Sequence, residues 1–196
     1  EKIGLVLQNP NQMISKTKIY DEIALGLRIR KVEEAEVDRR VSRVMKICGL
    51  LPFKTWPVSA LSYGQKKRVT IASILVLQPK ILILDEPTAG QDYRHYSEIM
   101  EFLKKLNETG QTIILITHDM HLMLEYTARA IALCDGKILA DTQAYQVLSD
   151  RELSRKANLK ITSLLELSQR AGLKDPLKFV EYFIQYDQNV RKDMLA

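Results

Sequence analysis

No apolar run in this sequence approaches the roughly 18 residues that a membrane-spanning helix needs. The densest one, "IASILVLQ", is too short. Nothing near the N-terminus has the charged, apolar and small-residue zones of a signal peptide. Cysteine is scarce: only Cys48 and Cys134 occur, far apart and at no metal-ligand spacing. This argues against a disulfide framework and for a reducing, cytosolic setting. There is no internal repeat, no low-complexity tract and no sustained heptad pattern. What is present is the composition of an ordinary globular protein, 46% hydrophobic and 27% charged. The 196 residues suffice for one domain, or for one domain with a small appendage. A net charge of +5 permits nucleotides, nucleic acid or lipid headgroups as partners, but interspersed acids make a mildly basic surface the better account.

Short aliphatic runs with polar ends organise the chain. "KIGLVLQ", "KILILDEP" and "QTIILITHD" each read as a buried strand. Helical spacing marks "TKIYDEIALGLRI" and, more clearly, "EEAEVDRRVSRVMKICG", with Gly49 as its C-cap. A buried helix is expected from Gly64 or Gln65 to Gln78, where Pro79 stops it, and further helices over Tyr93 to Asn107 and Met120 to Tyr126. "ARAIALCDGKILA" reads as a hairpin turning at Asp135-Gly136. Alternating strands and helices imply a mostly parallel sheet, which binds ligands at the carboxyl ends of its strands. After about Asp141 the pattern changes to two amphipathic helices, "TSLLELSQRAGL" and "PLKFVEYFIQYD".

Polar clusters sit at the strand ends. Asp85 and Glu86 end "ILILDEP", where one carboxylate can hold Mg2+ through water and the next can activate a water for phosphoryl transfer. His118 ends "ILITHD" and Gln8 ends "VLQ"; each alone is more simply a loop residue. "ALSYGQKKRV" offers Ser62 as N-cap and Gly64 for close backbone approach, ahead of a helix N-terminus that attracts anions. The simpler account of that stretch is a capped helix whose lysines are solvated.

Taken together and in order, "VLQNP", "LSYGQKKR", "ILILDEPTAGQD" and "ITHD" resemble the Q-loop, signature motif, Walker B with D-loop, and H-loop of ABC-type ATPases. The resemblance covers about residues 1–140. It implies an α/β fold, a P-loop NTPase-like, mostly parallel sheet truncated at its N-terminus. An ATPase core over 1–140 would contain a helical subdomain at about 12–78, inserted between Gln8 and Leu61, and 141–196 would form a small C-terminal helical extension. The implied cofactors are ATP and Mg2+. Asp85 would hold Mg2+ through water, Glu86 would polarise the hydrolytic water, and Gln8 would contact metal and water and sense a membrane partner. His118 would reach the γ-phosphate, and Asp92 would lie at the dimer seam. Ser62, Tyr63, Gly64 and Gln65 would face the nucleotide held by the opposite subunit.

Three departures from the family pattern stand out. The phosphate cradle G-x-x-x-x-G-K-[ST] is missing; the one Gly-Lys pair, Gly136-Lys137, has no glycine at the required distance upstream. The chain opens mid-pattern at Glu1, so the cradle is expected upstream, and this chain alone is expected to bind nucleotide weakly or not at all. Tyr63 stands where glycine is usual, adding bulk near the partner's nucleotide, and Gln91 stands where an apolar residue is usual.

"LVLQNPNQM" followed by "YDEIALGL" resembles the subgroup that powers energy-coupling-factor importers of vitamins and of cobalt or nickel. "ITSLLELSQRAGLKDP" resembles that subgroup's dimerising C-terminal region. The implied partners are a second ABC ATPase domain, a transmembrane coupling subunit and a substrate-binding membrane subunit, at the cytoplasmic face of the membrane and without nucleic acid. Two other readings share the motifs. One is a nucleic-acid- or ribosome-associated ABC ATPase, which the basic charge favours and the lack of heptads disfavours. The other is a non-catalytic regulatory subunit, which Glu86 and His118 argue against.

Overall fold

The aliphatic runs with polar ends become strands. In the computed structural model, which describes residues 2–159 and 162–195, β1 (Ile3–Val6), β2 (Ile81–Asp85) and β3 (Thr112–Ile116) form a parallel sheet in the order β1-β2-β3. The register sets Ile3 opposite Ile81 and Ile81 opposite Thr112. Parallel neighbours need long crossovers. The connection from β1 to β2 carries α1 (Ile19–Ile29), α2 (Glu34–Ile47) and α3 (Tyr63–Leu75), and α4 (Tyr93–Glu108) joins β2 to β3. This is the mixed α/β fold with a parallel sheet that the strand-helix alternation predicts.

Each helix buries the face its spacing dictates. Ile19, Ile23, Ala24 and Leu27 of α1 are buried, as are Val37, Val41, Val44 and Met45 of α2. The buried Glu22 turns back from α1 and accepts hydrogen bonds from the backbone N–H groups of Ser15 (2.8 Å) and Lys16 (2.7 Å). It thereby fastens the loop before the helix. Helix α3 starts at Tyr63, one residue earlier than expected, because Ser62 caps it, and it stops at Leu75 rather than Gln78. Gln78, just before Pro79, is left-handed at φ 56°, consistent with the bias of pre-proline residues against helix.

One face of the sheet lies tight against α3. A Cβ on Gly4 would fall 2.3 Å from Ile74 Cγ2, so only glycine allows that approach. Val6, Leu82 and Leu84 are buried, while Ile3, Leu5, Ile114 and Ile116 on the alternate positions are exposed.

The chain divides into two compact units, residues 1–116 and 117–196. The second contains α5 (Met120–Tyr126) and an antiparallel hairpin of β4 (Arg129–Cys134) and β5 (Lys137–Gln143). Asp135 (φ 49°) and Gly136 (φ 72°) make its turn, as an Asp-Gly pair between strands should. Among the described residues four helices follow: α6 (Ala144–Ser149), α7 (Arg151–Lys156), α8 (Ser163–Arg170) and α9 (Pro176–Leu195). Ala130, Ala132, Ala144 and Val147 form a small core, and Leu165 of α8 and Val180 of α9 are buried. Neither α6 nor α7 was expected from the pattern. Ile161, at the head of "ITSLLELSQRAGLKDP", lies outside the described residues.

Candidate functional site

Parallel strands bring their carboxyl ends to one edge. Val6 pairs with Leu84, so the chain leaves β1 at Leu7-Gln8 and β2 at Asp85-Glu86 on the same side of the sheet. Glu86 is left-handed at φ 42°, and its N–H donates to the Ile116 carbonyl at 2.9 Å. A non-glycine residue held there stores on the order of 1–3 kcal/mol of strain, a feature concentrated at functional sites. The turn continues through Ala89 N–H to the Glu86 carbonyl (3.2 Å) and ends at Asp92. Asp92 caps α4, accepting from His95 N–H at 3.0 Å, and its carboxylate lies 2.8 Å from His95 Nδ1.

The start of α3 meets this edge. Ser62 Oγ accepts from Gln65 N–H (3.2 Å) while Ser62 N–H donates to Gln65 Oε1 (2.9 Å), a capping box. The Ser62 hydroxyl keeps its own hydrogen for another acceptor. One turn along the helix, the Lys67 ammonium donates to the carbonyls of Gln8 (2.7 Å) and Leu7 (3.0 Å). The Tyr63 hydroxyl donates to the same Gln8 carbonyl at 3.3 Å. Lys67 is 0% exposed, so the expectation that the lysines of "KKR" are solvated fails for it. Burial lowers its ammonium from the usual lysine range to about 8, and the charge of Asp85 pulls it partly back.

Gly64 is buried, yet its own chain does not demand glycine. An added Cβ would lie 3.6 Å from His95 Cδ2 and 4.0 Å from Gln91 Oε1, ordinary contact distances. A cleft of about 280 Å3 opens beside it, lined by Ser62, Gly64, Gln65, Arg68, His95 and Glu98. Gln91, the departure from an apolar residue noted in the sequence, reaches over Gly64 and buries its amide nitrogen without a hydrogen-bond partner.

Gln8, Asp85, Glu86, Tyr63 and the capping pair thus come together within the first unit. His118 belongs to the second, where it is exposed in the short loop before α5. Its neighbour Asp119 caps that helix, accepting from His121 and Leu122 N–H at 2.9 and 3.1 Å. Nothing in the local pattern marks Lys67 for this role, because a lysine in a basic run looks the same whether solvated or buried.

The donor set suits Mg2+ carried by a nucleotide. Asp85 and Gln8 offer hard oxygen donors at adjoining strand ends, and Mg2+ typically takes one or two carboxylates, the remaining positions going to phosphate and water. Among the described residues no group of three or more His, Cys, Asp or Glu could cage a metal by itself.

Comparison with known proteins decides the family. The ABC transporter family model matches residues 1–89. A protein of Clostridium perfringens (strain 13 / Type A), by name a candidate ABC transporter ATP-binding protein, is 64% identical over 191 residues, covering 97% of this chain and 34% of its own length. The chain carries an ABC transporter ATP-binding domain. A similarly named ABC protein of Enterococcus faecalis (strain ATCC 700802 / V583) is 60% identical, again over 97% of this chain and 34% of its own. This ABC chain therefore spans about a third of the length of the curated relatives it matches. Among solved structures, cbiO1 from Clostridium perfringens, described as part of the ABC transporter complex cbiONQ, superposes with a TM-score of 0.71 at 38% identity. That match covers 82% of this chain and 64% of the cbiO1 chain.

Proposed function

We propose that this chain supplies the signature, Q-loop and Walker B parts of an ATP-hydrolysing subunit that powers import across a membrane, of the energy-coupling-factor type. The observation that carries the reading is the convergence of Gln8, Asp85 and Glu86 on one sheet edge, with the signature helix bonded to Gln8. Asp85 would hold the water shell of Mg2+. Glu86, held in a left-handed backbone at the end of β2, would take the proton of the attacking water. Gln8 would contact metal and water, His118 the γ-phosphate, and Asp92 the dimer seam. Bound MgATP would supply the phosphoanhydride whose cleavage would reopen the dimer.

Ser62, Gly64 and Gln65 would bind the nucleotide held by a second ABC ATPase domain. A glycine that its own chain does not require, beside an open cleft, suits a surface completed by a partner. No phosphate cradle occurs within these 196 residues, so the isolated chain is expected to turn over no ATP. Residues 141–196 would serve as a dimerising extension of the 1–140 core, within which the helical subdomain spans about 12–78. A second cleft, lined by Lys16, Thr17, Asp21, Leu25 and Arg28 just past the Q-loop, suits the coupling segment of a transmembrane subunit. A separate membrane subunit would bind the substrate. Among the described residues no helix is long and apolar enough to cross a membrane, which suits a peripheral place at the cytoplasmic face. The "QNPNQM" resemblance supports the importer subgroup, and the solved relative's membership of a multi-subunit transporter complex agrees with it.

Ser62→Asp in the full-length protein tests this reading. Aspartate keeps the helix cap but sets a negative charge against a phosphate. Hydrolysis should fall about a hundredfold or more while ATP affinity stays within about twofold, because the cradle holding the nucleotide lies on the other partner. Unchanged hydrolysis would refute it.

A further inference from the structure

The first two turns of α3 touch the Q-loop at two points, and the two contacts differ in kind. Lys67 is buried and bonds the Leu7 and Gln8 carbonyls at 3.0 and 2.7 Å. Releasing it would strand a buried ammonium away from water, so it acts as a fixed anchor. Tyr63 lies one helical turn earlier on the same face, is 39% exposed, and reaches the Gln8 carbonyl at 3.3 Å. Water can take over both ends of that bond at little cost. A glycine at this position could not form it.

We propose that Tyr63 is a positioning residue, a releasable latch whose hydroxyl holds the Gln8 backbone to the signature helix of the same chain. With the latch closed, Gln8 and the capping pair Ser62–Gln65 move as one body. A membrane partner that displaces the loop would pull on the residues that face the second subunit's nucleotide. With the latch open, Gln8 pivots on Lys67 alone. This rests on the proposed function above, and it moves the weight of Tyr63 from bulk near a nucleotide to a bond within its own subunit.

The test uses the full-length protein with Tyr63→Phe, which deletes only the hydroxyl, and Tyr63→Gly, which deletes the ring as well. Without nucleotide, amide exchange across residues 7–14 should rise about two- to tenfold in both variants, the span of one ordinary hydrogen bond. In turnover, both should lower kcat by a similar factor and leave KM for ATP within about twofold, because the latch positions Gln8 and does not bind substrate. Wild-type exchange and kcat in Tyr63→Phe would overturn the latch, as would a response confined to Tyr63→Gly or a change in KM alone. The exchange readout needs no hydrolysis. If the wild-type protein hydrolyses no ATP while Tyr63→Phe still loosens residues 7–14, the functional reading fails and the latch stands.

Discussion

The Nζ of Lys67 lies 2.7 Å from the carbonyl oxygen of Gln8, joining a helix to a strand end 59 residues earlier in the chain. This contact converts a basic run into a structural element of the site. It sets Gln8 at the edge where Asp85 and Glu86 emerge, with the start of α3 fixed beside them.

Lys67→Met should loosen the first unit. The variant keeps the apolar stem but leaves two carbonyls without their charged donor, costing about 2–3 kcal/mol. Chemical denaturation should show a lower midpoint with an unchanged slope. An unchanged midpoint would mean that water replaces the ammonium freely.

Glu22→Ala should unfasten residues 13–17. The carboxylate is 4% exposed and accepts from the Ser15 and Lys16 N–H groups, so its loss should cost about 2 kcal/mol. Faster proteolysis and exchange confined to that loop would mark the local origin of the effect. Glu22→Gln, which keeps one acceptor oxygen, should be milder.

Cys48 should resist alkylation. Burial pushes its thiol up to about 12, with the Arg68 charge pulling it partly down. Iodoacetamide at pH 8 should label Cys134 before Cys48 in the folded protein, and both after denaturation, as peptide mapping would show. The sign of the pH effect follows: a thiol free in the unfolded chain ionises near 9, while the folded one stays protonated to about 12. Unfolding therefore releases a proton in that window, and this thiol's contribution to stability is full below pH 9 and lost as pH rises toward 12.

Much of this site is visible in the sequence because its parts lie at the ends of buried runs. "ILILDEP" places Asp85 at the end of a strand, and Asp85 ends β2. Met120–Tyr126 forms the helix its pattern predicts, and Asp135-Gly136 makes the hairpin turn. What stayed hidden depends on contacts that no local pattern encodes. Lys67 is buried because the Leu7 and Gln8 carbonyls come to it from across the fold. The left-handed backbone of Glu86 has no residue signature, since glutamate is not selected for that conformation. Helices α6 and α7 are six residues each, too short to display a helical period. Gln91 was readable as a departure but not as a buried amide over Gly64.

The central claim is that Glu86 drives ATP hydrolysis at this edge. The most direct measurement is the steady-state ATPase rate of the full-length Glu86→Gln protein beside wild type, together with its association state in MgATP. The account predicts turnover reduced by about a hundredfold or more, with the ATP-closed dimer still forming. Hydrolysis at the wild-type rate would contradict it.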